Sequence, residues 1–224
     1  NCGLPYYISG EIANRDQLLV QTPEKLKARF NIDVRPNNEV LQILPSKKSV
    51  LIKGEDENYE ETYDKLVLSP GAAPITPSIP GIEESSNVHT LRNVTDLDQI
   101  MEEFNDEPKN ATVVGAGFIG LEMAENLHNR GLNVTIVEKA PQVLPTLDEE
   151  MAAFMQNELT SQGVEVMTSN SVAAFKEKGS RLVLEDEQEL PTDITILSIG
   201  IQPESKLAKE AGLDGLEDVF VGPT

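Results

Sequence analysis

Ala111-Thr112-Val113-Val114-Gly115-Ala116-Gly117-Phe118-Ile119-Gly120 is the stretch on which the reading of this chain turns. A short run suited to a buried strand leads into a GxGxxG turn, and Phe118 to Arg130 continues as a helical pattern with Gly131 as its stop. In a strand–turn–helix unit of this kind each glycine has its own task. The first permits the tight turn, the second lets the backbone approach a pyrophosphate, and the third lets the helix lie close on the strand. The pyrophosphate sits at the helix N-terminus, where free N–H groups and the helix dipole favour negative charge. Gly115, Gly117, Phe118, Ile119 and Gly120 are therefore candidate dinucleotide-binding residues.

The next strand supports this. Asn133 to Val137 ends at Glu138, eighteen residues past Gly120, where a ribose-binding carboxylate belongs. A carboxylate accepts from the 2′-hydroxyl and repels a 2′-phosphate, which favours NADH over NADPH. Lys139, its neighbour, softens that preference and keeps NADPH admissible. Glu122 is placed by the pattern in the first helical turn. There it either complements the helix dipole or faces the nicotinamide end of the ligand.

Working outward, helical and strand patterns alternate. Asn93 to Phe104 and Asp148 to Gln162 read as helices, and Val164 to Met167, Arg181 to Leu184 and Thr195 to Ile199 as strands. This alternation predicts an α/β fold with a parallel sheet covered by helices. Nearer the start, Thr22-Pro23-Glu24-Lys25 has the form of a helix N-cap with proline at the first helical position. Asn31 to Val34 and Glu39 to Leu44 alternate as half-buried strands do. Lys48 to Lys53 and Glu60 to Leu68 flank an acidic turn in a hairpin-like excursion, and Lys65 to Leu68 reads as a strand ending in the turn Ser69-Pro70-Gly71. Thr76 to Asn87 is proline-rich and reads as a linker.

The balance of 18 basic against 38 acidic residues in 224, a formal net charge of −20, argues against nucleic acid or an anionic membrane surface as a partner. No apolar run approaches the roughly 20 residues of a membrane helix. Two His and one Cys argue against a structural zinc site. The chain opens Asn1-Cys2-Gly3 without Met and closes Val221-Gly222-Pro223-Thr224, so it reads as a stretch of a longer protein.

The single cysteine, Cys2, lies in Asn1-Cys2-Gly3-Leu4-Pro5-Tyr6-Tyr7-Ile8. From composition it is either a small buried hydrophobe or a nucleophile; a turn or helix start beside it favours the thiolate. That stretch, then Leu68-Ser69-Pro70-Gly71-Ala72, the glycine loop with Glu122, and Ser198-Ile199-Gly200-Ile201-Gln202-Pro203 occur in this order. Together they resemble the single-cysteine branch of the FAD- and NAD(P)-dependent pyridine nucleotide-disulfide oxidoreductases, and within it the coenzyme A-disulfide reductase group.

The resemblance implies a cytoplasmic, homodimeric flavoprotein in which electrons pass from NADH through FAD to Cys2, and from there to coenzyme A disulfide or a related persulfide or polysulfide. Relatives that use oxygen or peroxide cycle the same cysteine through sulfenic acid. It also implies that Asn1 touches the substrate, that Ser69, Pro70 and Gly71 form a turn close to the flavin, and that Gly200 lies near the nicotinamide. On this basis residues 1–85 are a partial FAD-binding domain with the redox cysteine, 91–203 a Rossmann-like NAD-binding domain, and 204–224 a return segment to the FAD domain. The family's first FAD-binding glycine loop has no counterpart here, and its later Gly-Asp motif is replaced by Asp218-Val219-Phe220-Val221-Gly222-Pro223. The resemblance therefore assigns FAD and turnover to the whole enzyme, and leaves this stretch alone the alternative of a non-catalytic NAD-binding module.

Overall fold

A computed structural model describes residues 3–213. The first elements are helix α1 (Leu4–Ser9), helix α2 (Pro23–Phe30), strands β1 (Glu39–Leu44), β2 (Ser49–Lys53) and β3 (Asn58–Thr62), and the short strand β4 (Ala72–Pro74). Then follow β5 (Val88–His89), α3 (Val94–Glu103), β6 (Asn110–Val114), α4 (Phe118–Asn129), β7 (Asn133–Val137), α5 (Glu149–Ser161) and β8 (Glu165–Met167). The last described elements are β9 (Val172–Lys176), β10 (Arg181–Leu184), β11 (Glu189–Pro191), β12 (Ile194–Leu197), β13 (Ile201–Pro203) and α6 (Lys206–Glu210).

Contacts divide the chain into two units. One holds the described residues up to Leu18 together with Pro74–Ile201; the other holds Leu19–Ala73 and the described residues from Gln202 to Leu213. These breaks differ from the boundaries expected at 1–85, 91–203 and 204–224. The segment after Cys2 groups by contact with the glycine-loop unit.

The first unit is built on a five-stranded sheet of order β5-β12-β6-β7-β8, in which every neighbouring pair is parallel. Every residue of β12 and all but the first of β6 are buried, as central strands covered on both faces require. On one side Leu97 and Ile100 of α3, Leu121, Met123, Ala124 and Leu127 of α4, and Ala152 and Leu159 of α5 close the main core. The antiparallel sheet β9-β10-β11 belongs to a second cluster through Phe175, Leu182 and Leu184. Helix α3 starts in a capping box, Asn93 accepting from the Asp96 N–H and Asp96 from the Asn93 N–H.

The second unit is an antiparallel β1-β2-β3 sheet with a small core of Ile43, Val50 and Ile52, which Leu207 and Ala211 cover. Thr22 caps α2 through the Lys25 N–H, with Pro23 at the first position.

Three expectations are corrected. Asn31 to Val34 is not a strand: Asn31 adopts φ +56° and closes α2 by donating its N–H to the Lys27 carbonyl, so the extended run never begins. Lys65 to Leu68 is not a strand either. A ladder needs a neighbour, none pairs with it among the described residues, and Val67 is 86% exposed. Thr76 to Asn87 is not a free linker, because Pro80 accepts a 2.8 Å bond from the Phe175 N–H and Ile79 and Ile82 pack on the second cluster.

Candidate functional site

The glycine loop leaves the carboxyl end of β6, between the ends of β7 and β12. The Gly115 N–H donates to the Val137 carbonyl (2.8 Å), and the Ser198 N–H, just past β12, donates to the Val114 carbonyl (2.7 Å). In a doubly wound sheet ligands bind in such a crevice at the carboxyl ends of the strands.

Each glycine meets the constraint its position imposes. Gly115 has φ +102°, and a Cβ there would run into the Ser198 carbonyl oxygen. A Cβ on Gly120 would run into the Gly115 carbonyl oxygen, so helix and turn approach as closely as backbone allows. A Cβ on Gly117 would meet nothing within 4 Å, which leaves that face open to a ligand. Gly117 is also the N-cap of α4 and supplies no side-chain partner to the first-turn N–H groups. Phe118 (65% exposed) and Ile119 (47% exposed) stand at the same mouth. These residues fit a nicotinamide dinucleotide: an open backbone face, an uncapped helix N-terminus and no room for side chains where the turn is tight.

Glu138 is buried at the end of β7. One carboxylate oxygen accepts from the Ala116 N–H at 2.6 Å and the other from the Ala140 N–H at 2.7 Å. The carboxylate therefore ties the glycine loop to the chain leaving β7, and Lys139 beside it is exposed. Ala116 is held a second time: its carbonyl accepts from the Leu144 N–H at 2.8 Å. Leu144 does this at φ +45°, a left-handed conformation that a bulky residue rarely takes. Neither Ala116 nor Leu144 was evident as a site residue, because both act through backbone atoms.

Glu122 lies one residue beyond the first turn of α4, which spans Phe118–Leu121 and carries no acidic residue. It is half-buried, and its carbonyl accepts from the Asn126 side chain at 2.8 Å. The dipole explanation loses its place, since the effect fades beyond the first turn. Gly200, at φ +120°, is in the segment that follows Ser198 and accepts from the Ile75 N–H. Ser69, Pro70 and Gly71 are exposed in the other unit, with Gly71 at φ +76° accepting from the Glu204 N–H. Asn1, Cys2 and the 218–223 motif lie outside the described residues. The structure thus gathers the loop glycines, Phe118, Ile119, Glu138, Lys139 and the Ser198–Gly200 turn at the carboxyl ends of β6, β7 and β12. Among the described residues, no three His, Cys, Asp or Glu are grouped as metal ligands. No helix there is long and apolar enough to cross a membrane.

Fold and loop together define a dinucleotide-binding protein of the doubly wound α/β class. The chain belongs to the pyridine nucleotide-disulphide oxidoreductase family, whose family model matches residues 1–219. It is 38% identical over 216 residues to an NADH oxidase of Methanocaldococcus jannaschii, covering 94% of this chain and 48% of the relative. It is 33% identical over 217 residues to a coenzyme A disulfide reductase of Staphylococcus haemolyticus, covering 95% and 48%. The crystal structure of reduced Bacillus anthracis CoADR-RHD superposes with a TM-score of 0.92 at 50% identity, covering 94% of this chain and 38% of that one. The chain spans about half the length of the curated relatives it matches.

Proposed function

We propose that the protein to which this chain belongs is an NADH-dependent flavoprotein disulfide reductase acting on coenzyme A disulfide or a related persulfide. The observation that carries this reading is the formed glycine loop, open at Gly117 and braced by Glu138, in a chain of this family. Gly115 to Gly120 hold the pyrophosphate, Glu138 accepts from the adenosine ribose, and the Ser198–Gly200 turn borders the nicotinamide. Ser69 to Gly71 would border FAD, which when bound would supply the route for the electron pair from NADH to sulfur.

Cys2 is the nucleophile. As thiolate it attacks one sulfur of the disulfide, forming a mixed disulfide and releasing one thiolate. The electron pair from NADH then cleaves the mixed disulfide, releasing the second thiolate and restoring Cys2. The sum is NADH, a proton and one disulfide giving NAD⁺ and two thiols. Asn1 contacts the substrate beside it. A cytoplasmic homodimer is the setting this reading implies, with 1–85 and 204–224 serving FAD and 91–203 serving NAD.

The likeness to an NADH oxidase favours a second reading, in which Cys2 cycles through sulfenic acid and the acceptor is oxygen or peroxide. An acceptor screen on the full-length enzyme decides between them. NADH oxidation that requires coenzyme A disulfide under anaerobic conditions supports the first; oxidation that proceeds only with oxygen or peroxide supports the second.

A further inference from the structure

Helix α1 starts at the residue after Gly3, and Gly3 follows Cys2 in the chain. The helix is anchored at both ends. At its start, a Cβ on Gly3 would lie 3.0 Å from Ile12 Cδ1 and 3.1 Å from Leu18 Cδ2, so the backbone there is in close contact with both side chains. Leu4 and Ile8 are buried in the core that also holds Leu97, Met123 and Leu127. At its end Gly10 turns left-handed at φ +84°. The last carbonyls are then shared out: Tyr7 accepts from the Gly10 N–H, and Tyr6 from the Ile12 N–H and the Ser9 hydroxyl. The Ile8 carbonyl takes its donor from the Arg130 guanidinium at 3.1 Å.

Arg130 is the C-cap residue of α4, the helix that begins at the glycine loop. Its guanidinium carbon lies 4.8 Å from the centroid of the Phe104 ring, which fixes the side chain in place. A cation at the carboxyl end of α1 also complements the negative end of that helix's dipole. One residue thus joins α1 to a helix of twelve residues whose other end borders the nucleotide site.

We propose that Arg130 is a positioning residue for the proposed nucleophile: bonded to the Ile8 carbonyl and stacked on Phe104, it fixes α1 on α4 and thereby the point of the chain from which Cys2 attacks. The inference rests on Cys2 being that nucleophile. It assigns to Arg130 an effect on sulfur chemistry and none on nucleotide binding, although both helices border one core.

The test uses the full-length, flavin-loaded protein as wild type, R130M, R130K and F104L. Each is reduced with NADH, freed of nucleotide anaerobically and mixed with an aromatic chromogenic disulfide, and the adduct at Cys2 is followed by peptide mass spectrometry. NADH affinity is measured separately by fluorescence titration. The expected result for R130M is a rate at Cys2 slowed by about tenfold, on the scale that a small misplacement of a reacting group produces, with NADH affinity unchanged. R130K, which keeps a donor and a charge, recovers part of the rate. F104L, which removes the ring but leaves the donor, slows it in the same direction by less, and decides the matter should R130M fail to fold. A wild-type rate at Cys2 in a folded variant, or a parallel loss of NADH affinity, overturns the proposal. Turnover retained in C2S would instead remove the nucleophile reading, and the Arg130 effect on the thiol would still be measurable.

Discussion

The Glu138 carboxylate accepts a 2.6 Å hydrogen bond from the Ala116 N–H, so the residue expected to read the ribose also holds the glycine loop in shape. A bound ribose hydroxyl must share an oxygen that already serves the loop. Glu138→Ala therefore removes both a ligand contact and a brace. Hydrogen bonds to a charged group contribute about 1.5–3 kcal/mol, which corresponds to a loss of NADH affinity of tenfold or more. NADPH affinity falls less, since the repulsion of its 2′-phosphate goes with the carboxylate. Fluorescence titration with both nucleotides checks this, and unchanged affinity for both would remove Glu138 from the site.

The glycines separate folding from binding. A methyl group on Gly120 meets the Gly115 carbonyl oxygen, whereas one on Gly117 meets nothing within 4 Å. Gly120→Ala is expected to cost about 3 kcal/mol or more of stability, the range of buried strain. Gly117→Ala should leave the melting temperature near wild type and weaken NADH binding by obstructing the approach of the pyrophosphate. Thermal melts and titrations of the two variants form the check.

The Arg15 guanidinium forks onto Asp98, with Nε–Oδ1 at 2.8 Å and Nη2–Oδ2 at 2.6 Å. The hydrogen bonds to Arg15 hold the Asp98 carboxyl below its ordinary value of 3.8. Because the folded-state value is depressed, the stabilisation is fully present above that ordinary value and is lost as pH falls through the lowered one. Asp98→Asn should be less stable than wild type at neutral pH, and the two should converge in acid. Both side chains are more than 40% exposed, so the difference shrinks in high salt. Urea melts across pH and salt test it.

Much of the fold was legible because side-chain pattern and local chemistry agreed. Thr22-Pro23 marked the start of α2, Gly131 the end of α4, and the apolar run Ala111 to Val114 the central strand of the sheet. What was not legible depends on distant partners or on backbone atoms. Lys65 to Leu68 has the composition of a strand, but a strand exists only where a neighbour supplies the ladder. Nothing local in Leu4 or Ile8 shows that they complete a core whose other members, Leu18 apart, lie between Leu97 and Ile196. The clasp of Ala116 between Glu138 and Leu144 uses an N–H and a C=O that every residue carries, so no residue type announces it. The glycine loop was legible in outline from its glycines and from the acid at the end of the next strand. Its bracing and the link from Arg130 to Ile8 needed coordinates.

The central claim is electron flow from NADH to a disulfide through Cys2, and Cys2→Ser in the full-length, flavin-loaded enzyme tests it most directly. Coenzyme A disulfide-dependent NADH oxidation is measured anaerobically beside NADH affinity. The account predicts loss of disulfide reduction by at least about a thousandfold, as removal of a covalent nucleophile produces, with NADH binding intact. Disulfide reduction at the wild-type rate in that variant would contradict it.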